Sequence, residues 1–215
     1  MSMKELRERE KENRREYILD QAEMCFRRTG FDDVSMEDIA NEVGMNRTTL
    51  YLYFKDKEAL FSEVVLRGMK KMHAMMMEAG NSTPDTTEKV LEMGDAMIAY
   101  MQQYPDNYRL QRYFLSGRFD PAKMDQNGAG AQICQLRKEI YAKFSRRIRE
   151  GIENGTFKKE IHPIEIAVLV CQLLSATVSM NQQALAVLER HGIDRERFLS
   201  DTRQLIASML KNPVP

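Results

Sequence analysis

The stretch VSMEDIANEVGMNRTTLYLYF, residues 34–54, decides the fold of the N-terminal part of this chain. Ser35 can cap a helix through its hydroxyl, and Asp38 stands at the reciprocal position of a capping box. Val34 can pack on Ile39 across that cap, so the pattern predicts a helix that begins at Met36. Gly44 supplies a turn after about two helical turns. The result is one short helix with both ends marked in the sequence.

A second short helix is predicted after Asn46, which is another capping residue. Drawn at about 100° per residue, Leu50 and Phe54 share one face, which must pack on the preceding helices. Two short helices joined by a three-residue turn at residues 43–45 are typical of a helix-turn-helix.

The outer face of this second helix is left for a partner. An arginine can pair bidentately with guanine, threonine hydroxyls can contact bases or phosphates, and the methyl groups of leucine and threonine can touch thymine. An ordinary solvated helix is the alternative, but an exposed Tyr-Leu-Tyr on so short a helix favours a partner. The candidate DNA-contacting residues on this face are Arg47, Thr48, Thr49, Tyr51, Leu52 and Tyr53.

A first helix precedes this pair. Ile18, Ala22 and Phe26 follow an i, i+4, i+8 stripe, and Gly30 stands where the helix must end, with Phe31 placed to pack back on Phe26. The charged residues before it, 1–13, form either an arm that drops cations into a minor groove or a helical extension held by i, i+4 Glu–Lys and Glu–Arg pairs. The glutamates favour the helical extension.

Helical spacing dominates the rest of the chain, so the sequence predicts an all-α fold. Breaks are expected at residues 80–85, at Pro105, at 120–130, at Gly155 and at Gly192. One helix is predicted over about residues 163–191. Residues 166–188 carry no charge, but their many polar side chains make them too polar for lipid, so a helix buried against protein fits better than a membrane span.

Composition excludes several classes of protein. The three cysteines lie at long spacings without a Cys-x-x-Cys, which is typical of reduced thiols in a cytosolic protein. No apolar stretch of a signal peptide follows the N-terminus, so a cytoplasmic location is expected. The three histidines, His73, His162 and His191, stand far apart without ligand-spaced partners. With no phosphate loop or serine nucleophile motif, we expect no enzyme activity, no metal and no cofactor.

Charge gives no support to a nucleic-acid partner. The formal net charge is zero, and residues 1–57 hold 11 Lys and Arg against 13 Asp and Glu. DNA binding must therefore depend on the placement of a few cations. An interaction protein of the same fold, whose recognition surface binds a protein partner, is the alternative that this acidic balance favours.

The runs VSMEDIA (residues 34–40) and VGMNRTTLYLYFKDKEAL (residues 43–60), with ILDQA (residues 18–22) and the Phe26 to Phe31 pattern, closely resemble the DNA-binding domain of TetR-family regulators. The resemblance implies that Arg47, Thr48, Thr49, Tyr51 and Tyr53 contact DNA and that Lys57 grips a phosphate. It also implies that Ser35 and Met36 offer a backbone or hydroxyl contact to phosphate. A three-helix DNA-binding domain over residues 1–56 and a helical effector-binding and dimerisation domain over 57–215 follow as expectations.

The same resemblance, with a fainter echo at residues 149–157 ahead of Pro163, implies a homodimer through the last two helices. Burial within one subunit is the alternative. Two recognition helices related by a twofold axis would read a palindromic operator with half-sites about 34–36 Å apart. The residues expected at the dimer interface are Val168, Gln172, Ser175, Ser179, Gln183, Leu205 and Met209.

A regulator of this plan is expected to be a repressor that a small molecule releases from DNA. The middle helices are rich in methionine and aromatic residues, which suit a flat or greasy ligand and suit an ordinary core equally well. A buried Arg112 or His73 would indicate an anionic group on the ligand. The candidate effector-pocket residues are Met72, His73, Met76, Met97, Met101, Tyr104, Tyr108, Arg112, Tyr113 and Phe114.

Overall fold

The computed structural model describes residues 2–119 and 128–211, and within these ranges the chain forms α-helices and one isolated β-bridge, Phe157 with Lys211. The helices are α1 Met3–Thr29, α2 Met36–Val43, α3 Arg47–Tyr51, α4 Lys57–Glu78, α5 Thr86–Gln103, α6 Pro105–Phe114, α7 Ala129–Glu153, α8 Pro163–Val178, α9 Gln182–Arg190 and α10 Arg195–Leu210. This confirms the all-α prediction. Most of the loop predicted over residues 120–130 lies outside the described residues, although Gly130 belongs to α7.

The charged N-terminal residues form the start of α1. Ser2 caps this helix through a complete capping box with Glu5, so the prediction of a helical extension is confirmed. The predicted i, i+4 pairs are wrong: among the described side chains, no ion pair within 4.0 Å joins two residues of 4–14. Two i, i+4 steps here join like charges, Arg7–Lys11 and Glu8–Glu12, and the opposite charges of Lys4–Glu8, Glu5–Arg9 and Glu10–Arg14 stay in solvent.

The prediction of one helix over residues 163–191 is also wrong. The chain bends by 82° between α8 and α9, and the side-chain oxygen of Asn181 caps α9 by accepting from the Ala184 N–H at 2.9 Å. An asparagine inside an uncharged run offers the backbone this local alternative to a continuous helix. Among the described residues no single helix is long and apolar enough to cross a membrane, whereas the bent α8–α9 pair would pass on length and composition alone.

The chain divides into two compact units. The first contains residues 1–70 and 106–135, so it extends beyond Asp56, where the sequence suggested a boundary, and includes α6. Aromatic rings fill its core: Phe26 lies 5.0 Å from Phe61, and Phe61 lies 6.4 Å from Phe114, measured between ring centroids. Phe26 also stacks on Phe31 at 6.0 Å, as the sequence predicted. This core holds α1 and α4 behind the two short helices.

The second unit contains residues 71–105 and 136–215, in which α5 packs against α8 and α10. Gly151 lies directly beneath the fully buried ring of Phe157. A β-carbon at Gly151 would stand 2.1 Å from that ring, so only glycine permits the loop after α7 to fold back on the helix. The backbone amide of Phe157 accordingly donates to the Gly151 carbonyl at 2.9 Å.

Candidate nucleic-acid interface

The start of α2 is fixed by the predicted capping box. The Asp38 N–H donates to Ser35 Oγ at 3.1 Å, and the Ser35 N–H donates to Asp38 Oδ2 at 2.8 Å. The Ser35 hydroxyl also donates to Asp38 Oδ2 at 2.6 Å, and these hydrogen bonds from Ser35 lower the pKa of the Asp38 carboxyl. The Met36 side chain is buried, so this residue presents only its backbone at the helix start.

The turn between α2 and α3 follows the sequence expectation. Gly44 adopts a left-handed conformation with φ 71° and ψ 37°, and Asn46 Oδ1 accepts from the Thr49 N–H at 2.7 Å to cap α3. Leu50 is 0% exposed and Phe54 is 3% exposed, which confirms that this face packs inward. A five-residue helix is thus held by one cap and two buried side chains.

The opposite face of α3 is open to solvent. Arg47, Thr48, Tyr51 and Leu52 are exposed, and Leu52 at the C-terminal end is 76% exposed. Thr49 and Tyr53 are half-buried, and the Thr49 hydroxyl donates to Asn46 Oδ1 at 2.8 Å. All six predicted residues therefore lie on or beside one short helix, with four of them available to a partner.

Arg47 and Tyr51 contact each other on this face. The guanidinium donates to the Tyr51 hydroxyl at 3.2 Å and lies 5.5 Å from the centre of the ring. The hydrogen bond to Tyr51 raises the pKa of Arg47. Because a phenol is a weak acceptor compared with a phosphate or a guanine, the guanidinium can exchange this partner without leaving a buried group unsatisfied.

Lys57 has a different environment from the one expected of a phosphate contact. Its ammonium donates to the carbonyls of Phe31 at 2.8 Å and Val34 at 2.7 Å, approaches the Asp32 carbonyl at 3.4 Å, and lies 4.3 Å from the Phe31 ring. All three N–H donors thus face protein acceptors. The lysine joins the first turn of α4 to the loop before α2, a role that sequence reasoning missed because it joins residues far apart in the chain.

The effector-pocket candidates divide between the two units. Met72, Met76, Met97 and Met101 are buried in the second unit, while Tyr104 is half-buried with the Lys71 ammonium 4.1 Å from its ring. In the first unit Phe114 is buried and Tyr108 and Tyr113 are half-buried.

The two residues whose burial would indicate an anionic ligand, Arg112 and His73, lie in different environments. Arg112 is exposed, so the condition that it be buried is not met. His73 lies in the second unit with its Nε2 2.7 Å from Glu139 Oε2, which gives the imidazole a carboxylate neighbour. In the described residues no three of His, Cys, Asp and Glu are placed to hold a metal ion.

The dimer-interface candidates all lie in the second unit. Val168, Gln172, Gln183 and Leu205 are exposed, and Ser175, Ser179 and Met209 are half-buried. Sequence reasoning missed two apolar neighbours, Ile164 at 39% and Leu169 at 53% exposure. Ile164 stands at i, i+4 from Val168, which was an available signal for a shared face, whereas Leu169 directly follows Val168.

A short helix with a capped start, a buried inner face and a cationic and aromatic outer face, joined to a second helix by a glycine turn, defines a helix-turn-helix DNA-binding protein. Comparison with known proteins supports this class. Residues 18–64 match the family model described as "Bacterial regulatory proteins, tetR family". This match covers the helix-turn-helix region, so residues 18–64 have the DNA-binding domain that the family model describes, and the findings support a TetR-family transcriptional regulator.

Individual relatives are distant. The uncharacterised HTH-type transcriptional regulator YfiR of Bacillus subtilis is 24% identical over 155 residues, which cover 69% of this chain and 70% of YfiR. The HTH-type transcriptional repressor Rv1474c of Mycobacterium tuberculosis is 33% identical over 67 residues, 31% of this chain and 36% of its own. A tetR-family regulatory protein from Rhodococcus RHA1 shares the fold with a TM-score of 0.73 and 18% identity, covering 94% of this chain and 98% of its own.

Proposed function

We propose that the protein is a repressor that binds a palindromic operator as a homodimer and leaves it when a small molecule binds. The observation that carries the proposal is the exposed face of α3, a helix of only five residues. Arg47, Thr48 and Tyr51 of this helix and Leu52, which follows it, are exposed to solvent. This set offers a bidentate donor for guanine, a hydroxyl and an apolar contact for thymine. The name of the relative Rv1474c supports repression.

Dimerisation is supported by the apolar faces of α8 and α10. Ile164, Val168 and Leu169 on α8 are between 37% and 53% exposed, and Leu205 on α10 is 51% exposed. Large exposed apolar side chains gain free energy when a second surface covers them. A second copy of the chain would supply an identical surface, as a twofold interface requires, and would pair two copies of α3 for two half-sites.

Release by a small molecule is supported by the composition of the second unit. Buried methionines there can repack around an inserted ligand at low cost because their side chains are unbranched and flexible. A ligand would lower operator affinity only by binding more tightly to a conformation that fits the two half-sites less well. We propose an apolar or aromatic effector, with Arg112 outside its contacts.

The proposal is tested by selecting duplexes from a random pool with the purified full-length protein, then measuring affinities for the selected duplex. We expect enrichment of a palindrome. Arg47→Ala should weaken binding of that palindrome by about 1–3 kcal/mol per half-site and weaken non-specific binding much less. Tyr51→Phe, which keeps the ring and removes the hydroxyl that Arg47 contacts, should have a smaller effect.

Arg149→Ala is the matched control, because Arg149 is an exposed arginine on α7 and its loss should leave operator affinity unchanged. Enrichment of no palindrome would contradict the proposal and favour a protein partner for the α3 face. Equal affinity of the wild type and the Arg47→Ala variant for the selected duplex would also contradict it.

A further inference from the structure

The first four turns of α1 carry separated charges. Every residue from Lys4 to Arg14 is exposed except the half-buried Leu6, and the Ser2–Glu5 capping box fixes the start of the helix. Drawn at about 100° per residue, four cations fall within about 80° of arc, and four glutamates fall within a second arc of about 80°. The basic stripe consists of Lys4, Arg7, Lys11 and Arg14, and the acidic stripe of Glu5, Glu8, Glu12 and Glu16.

The two stripes do not neutralise each other. Among the described residues none of the four cations of the basic stripe lies within 4.0 Å of a carboxylate, whereas Arg15, the next residue, pairs with Glu63. Arg14 instead lies 5.7 Å from the ring of Tyr17. Like charges three and four residues apart repel along each stripe, which weakens the isolated helix. An oppositely charged partner laid along the basic stripe would remove that repulsion.

The basic stripe lies on the side of α1 that packs towards the end of α3. Lys4 and Lys11 stand on the same face of α1 as the fully buried Ile18 and Ala22, by their spacing along the helix. One turn beyond Lys11, on that face, the guanidinium of Arg15 lies 4.8 Å from the ring of Phe54, three residues after the end of α3. The basic stripe therefore continues from Arg15, beside Phe54, along α1 towards its N-terminus.

We propose that the basic stripe binds the phosphate backbone of the DNA that flanks the operator, an inference that rests on the proposed function. Residues 3–14 form about 18 Å of helix at 1.5 Å per residue. A duplex carries roughly ten phosphate charges over that length, so four cations can each neutralise one. These contacts read no bases; they add affinity and lengthen the protected DNA on each side of the palindrome.

The stripe also explains how an acidic N-terminal region binds DNA. Four of the 13 acidic residues of 1–57 form the acidic stripe, whose centre lies about 125° from that of the basic stripe around the helix. Glu10 lies outside both stripes, about 40° from Arg14. Because the other glutamates of this segment lie away from the basic stripe, the net charge of the region underestimates the positive charge that this side presents to a duplex.

The test compares the wild type with a full-length variant carrying Lys4→Gln, Arg7→Gln, Lys11→Gln and Arg14→Gln. Glutamine keeps the length and helix propensity of these side chains, and circular dichroism checks that α1 persists. Binding is measured to the selected palindrome with flanking sequence and to a random-sequence duplex, between about 50 and 200 mM salt. The slope of log K against log salt should flatten by about 3–4 units per protomer, because each lost phosphate contact contributes about 0.9.

Arg9 provides the matched single control, because it lies on the far side of the helix from the basic stripe. Arg7→Gln should flatten the slope by about 0.9 per protomer, and Arg9→Gln should leave it unchanged. Hydroxyl-radical footprints of the quadruple variant should also be shorter at both ends than those of the wild type.

An unchanged slope in the quadruple variant, with Arg47→Ala still impaired, would overturn the inference and leave the proposed function standing. Equal effects of Arg7→Gln and Arg9→Gln would also overturn it, because the contact would then be general and not confined to the stripe. A quadruple variant of lower oligomeric mass with an unchanged slope would assign the stripe to a second copy's acidic stripe. Failure of the wild type to bind either duplex would remove both proposals together.

Discussion

The exposed face of α3 and the exposed faces of α8 and α10 differ in chemistry and in how the chain holds them. On α3, Arg47 and Tyr51 hydrogen-bond to each other beside the apolar Leu52, which is 76% exposed, so this face combines polar and apolar groups. On α8 and α10, Leu169 and Leu205 are about half exposed, at 53% and 51%. These side chains make no hydrogen bonds. The polar groups of the α3 face can exchange their hydrogen bonds for those of a partner, whereas the leucines of α8 and α10 gain free energy only when another surface covers them.

The largest effect is expected from changing the apolar faces. Leu169→Asp together with Leu205→Asp would place two carboxylates where we propose that a second copy packs, so the dimer should dissociate. Operator affinity should fall roughly 100-fold or more, because two linked recognition helices bind far more tightly than one. Sedimentation equilibrium gives the mass, and titration of the selected palindrome gives the affinity.

Met24→Asp is the control for this pair, because Met24 on α1 is an apolar side chain of similar exposure, 52%, outside the proposed interface. It should remain dimeric. A double variant that sediments with the mass of the wild-type dimer would show that α8 and α10 do not form the interface.

The two units can also be compared through two lysines, Lys57 in the first and Lys143 in the second, each of which donates to backbone carbonyls. In the second unit, Lys143 is buried and its ammonium donates to the carbonyls of Met76 at 3.0 Å, Met77 at 2.5 Å and Ala79 at 2.8 Å. It thereby donates to two carbonyls in the last turn of α4, where helical partners are lacking, and to the Ala79 carbonyl just after the helix. Burial lowers the pKa of Lys143, yet hydrogen bonds to three carbonyls favour the ammonium form.

Lys143→Met should lower the free energy of unfolding by about 1–3 kcal/mol, because the Met76 and Ala79 carbonyls lose the ammonium donor, whereas the Met77 carbonyl keeps the Asn81 side-chain amide at 3.1 Å. Lys57→Met should cost less, since its surroundings in the first unit are half-buried. Lys138→Met and Lys70→Met, at exposed positions on α7 and α4, are the controls. Urea unfolding measures all four variants. If Lys57→Met flattened the salt dependence of DNA binding without lowering stability, the lysine would act as a phosphate contact instead.

The sequence was most informative where structure depends on neighbours in the chain. The box at Ser35, the turn at Gly44 and the cap at Asn46 each act within three or four residues, and all three were predicted. The carbonyl partners of Lys57 and Lys143 lie 23–26 and 64–67 residues away. Such contacts follow from tertiary packing, which no local pattern reveals.

The C-terminal helices were predicted less well for a related reason. Residues 166–188 contain no charge and no glycine or proline, so composition favoured one helix, and the single asparagine cap at Asn181 was overlooked. The charge stripes of α1 were missed because the prediction considered i, i+4 pairs of opposite charge and not how like charges are grouped around the helix. The exposure of Arg47, Thr48, Tyr51 and Leu52 beside one short helix, in contrast, agrees with the local spacing, and their contact with DNA stays a prediction.

Asn46 and Asn181 provide a matched pair of caps, one for each region. Asn46 accepts from the Thr49 N–H at 2.7 Å and Asn181 from the Ala184 N–H at 2.9 Å. Replacing either by alanine should lower stability by about 1 kcal/mol, and replacement by aspartate should preserve it. Only Asn46→Ala should also weaken operator binding, because α3 would fray beneath Arg47. Equal losses of operator affinity in the two alanine variants would show that the cap of α3 does not position the recognition face.

The smallest effect is expected from acid. Hydrogen bonds from the Ser35 hydroxyl and amide hold the pKa of Asp38 below its ordinary value of 3.8. Between the folded-state and unfolded-state pKa values of Asp38, the folded protein therefore binds fewer protons than the unfolded protein. The stability that Asp38 contributes is complete above the unfolded-state pKa and is lost as the pH falls through the folded-state pKa.

Ser35→Ala removes both the hydroxyl donor and the N-cap acceptor, so it should flatten the acid dependence of stability and lower stability at neutral pH. Urea midpoints measured between about pH 5 and pH 2 follow this loss. By contrast, α8 begins without a side-chain cap at His162, so His162→Ala should leave the acid limb of stability unaltered. An identical acid limb in the wild type and the Ser35→Ala variant would show that the Ser35–Asp38 box contributes no pH-dependent stability to the recognition region.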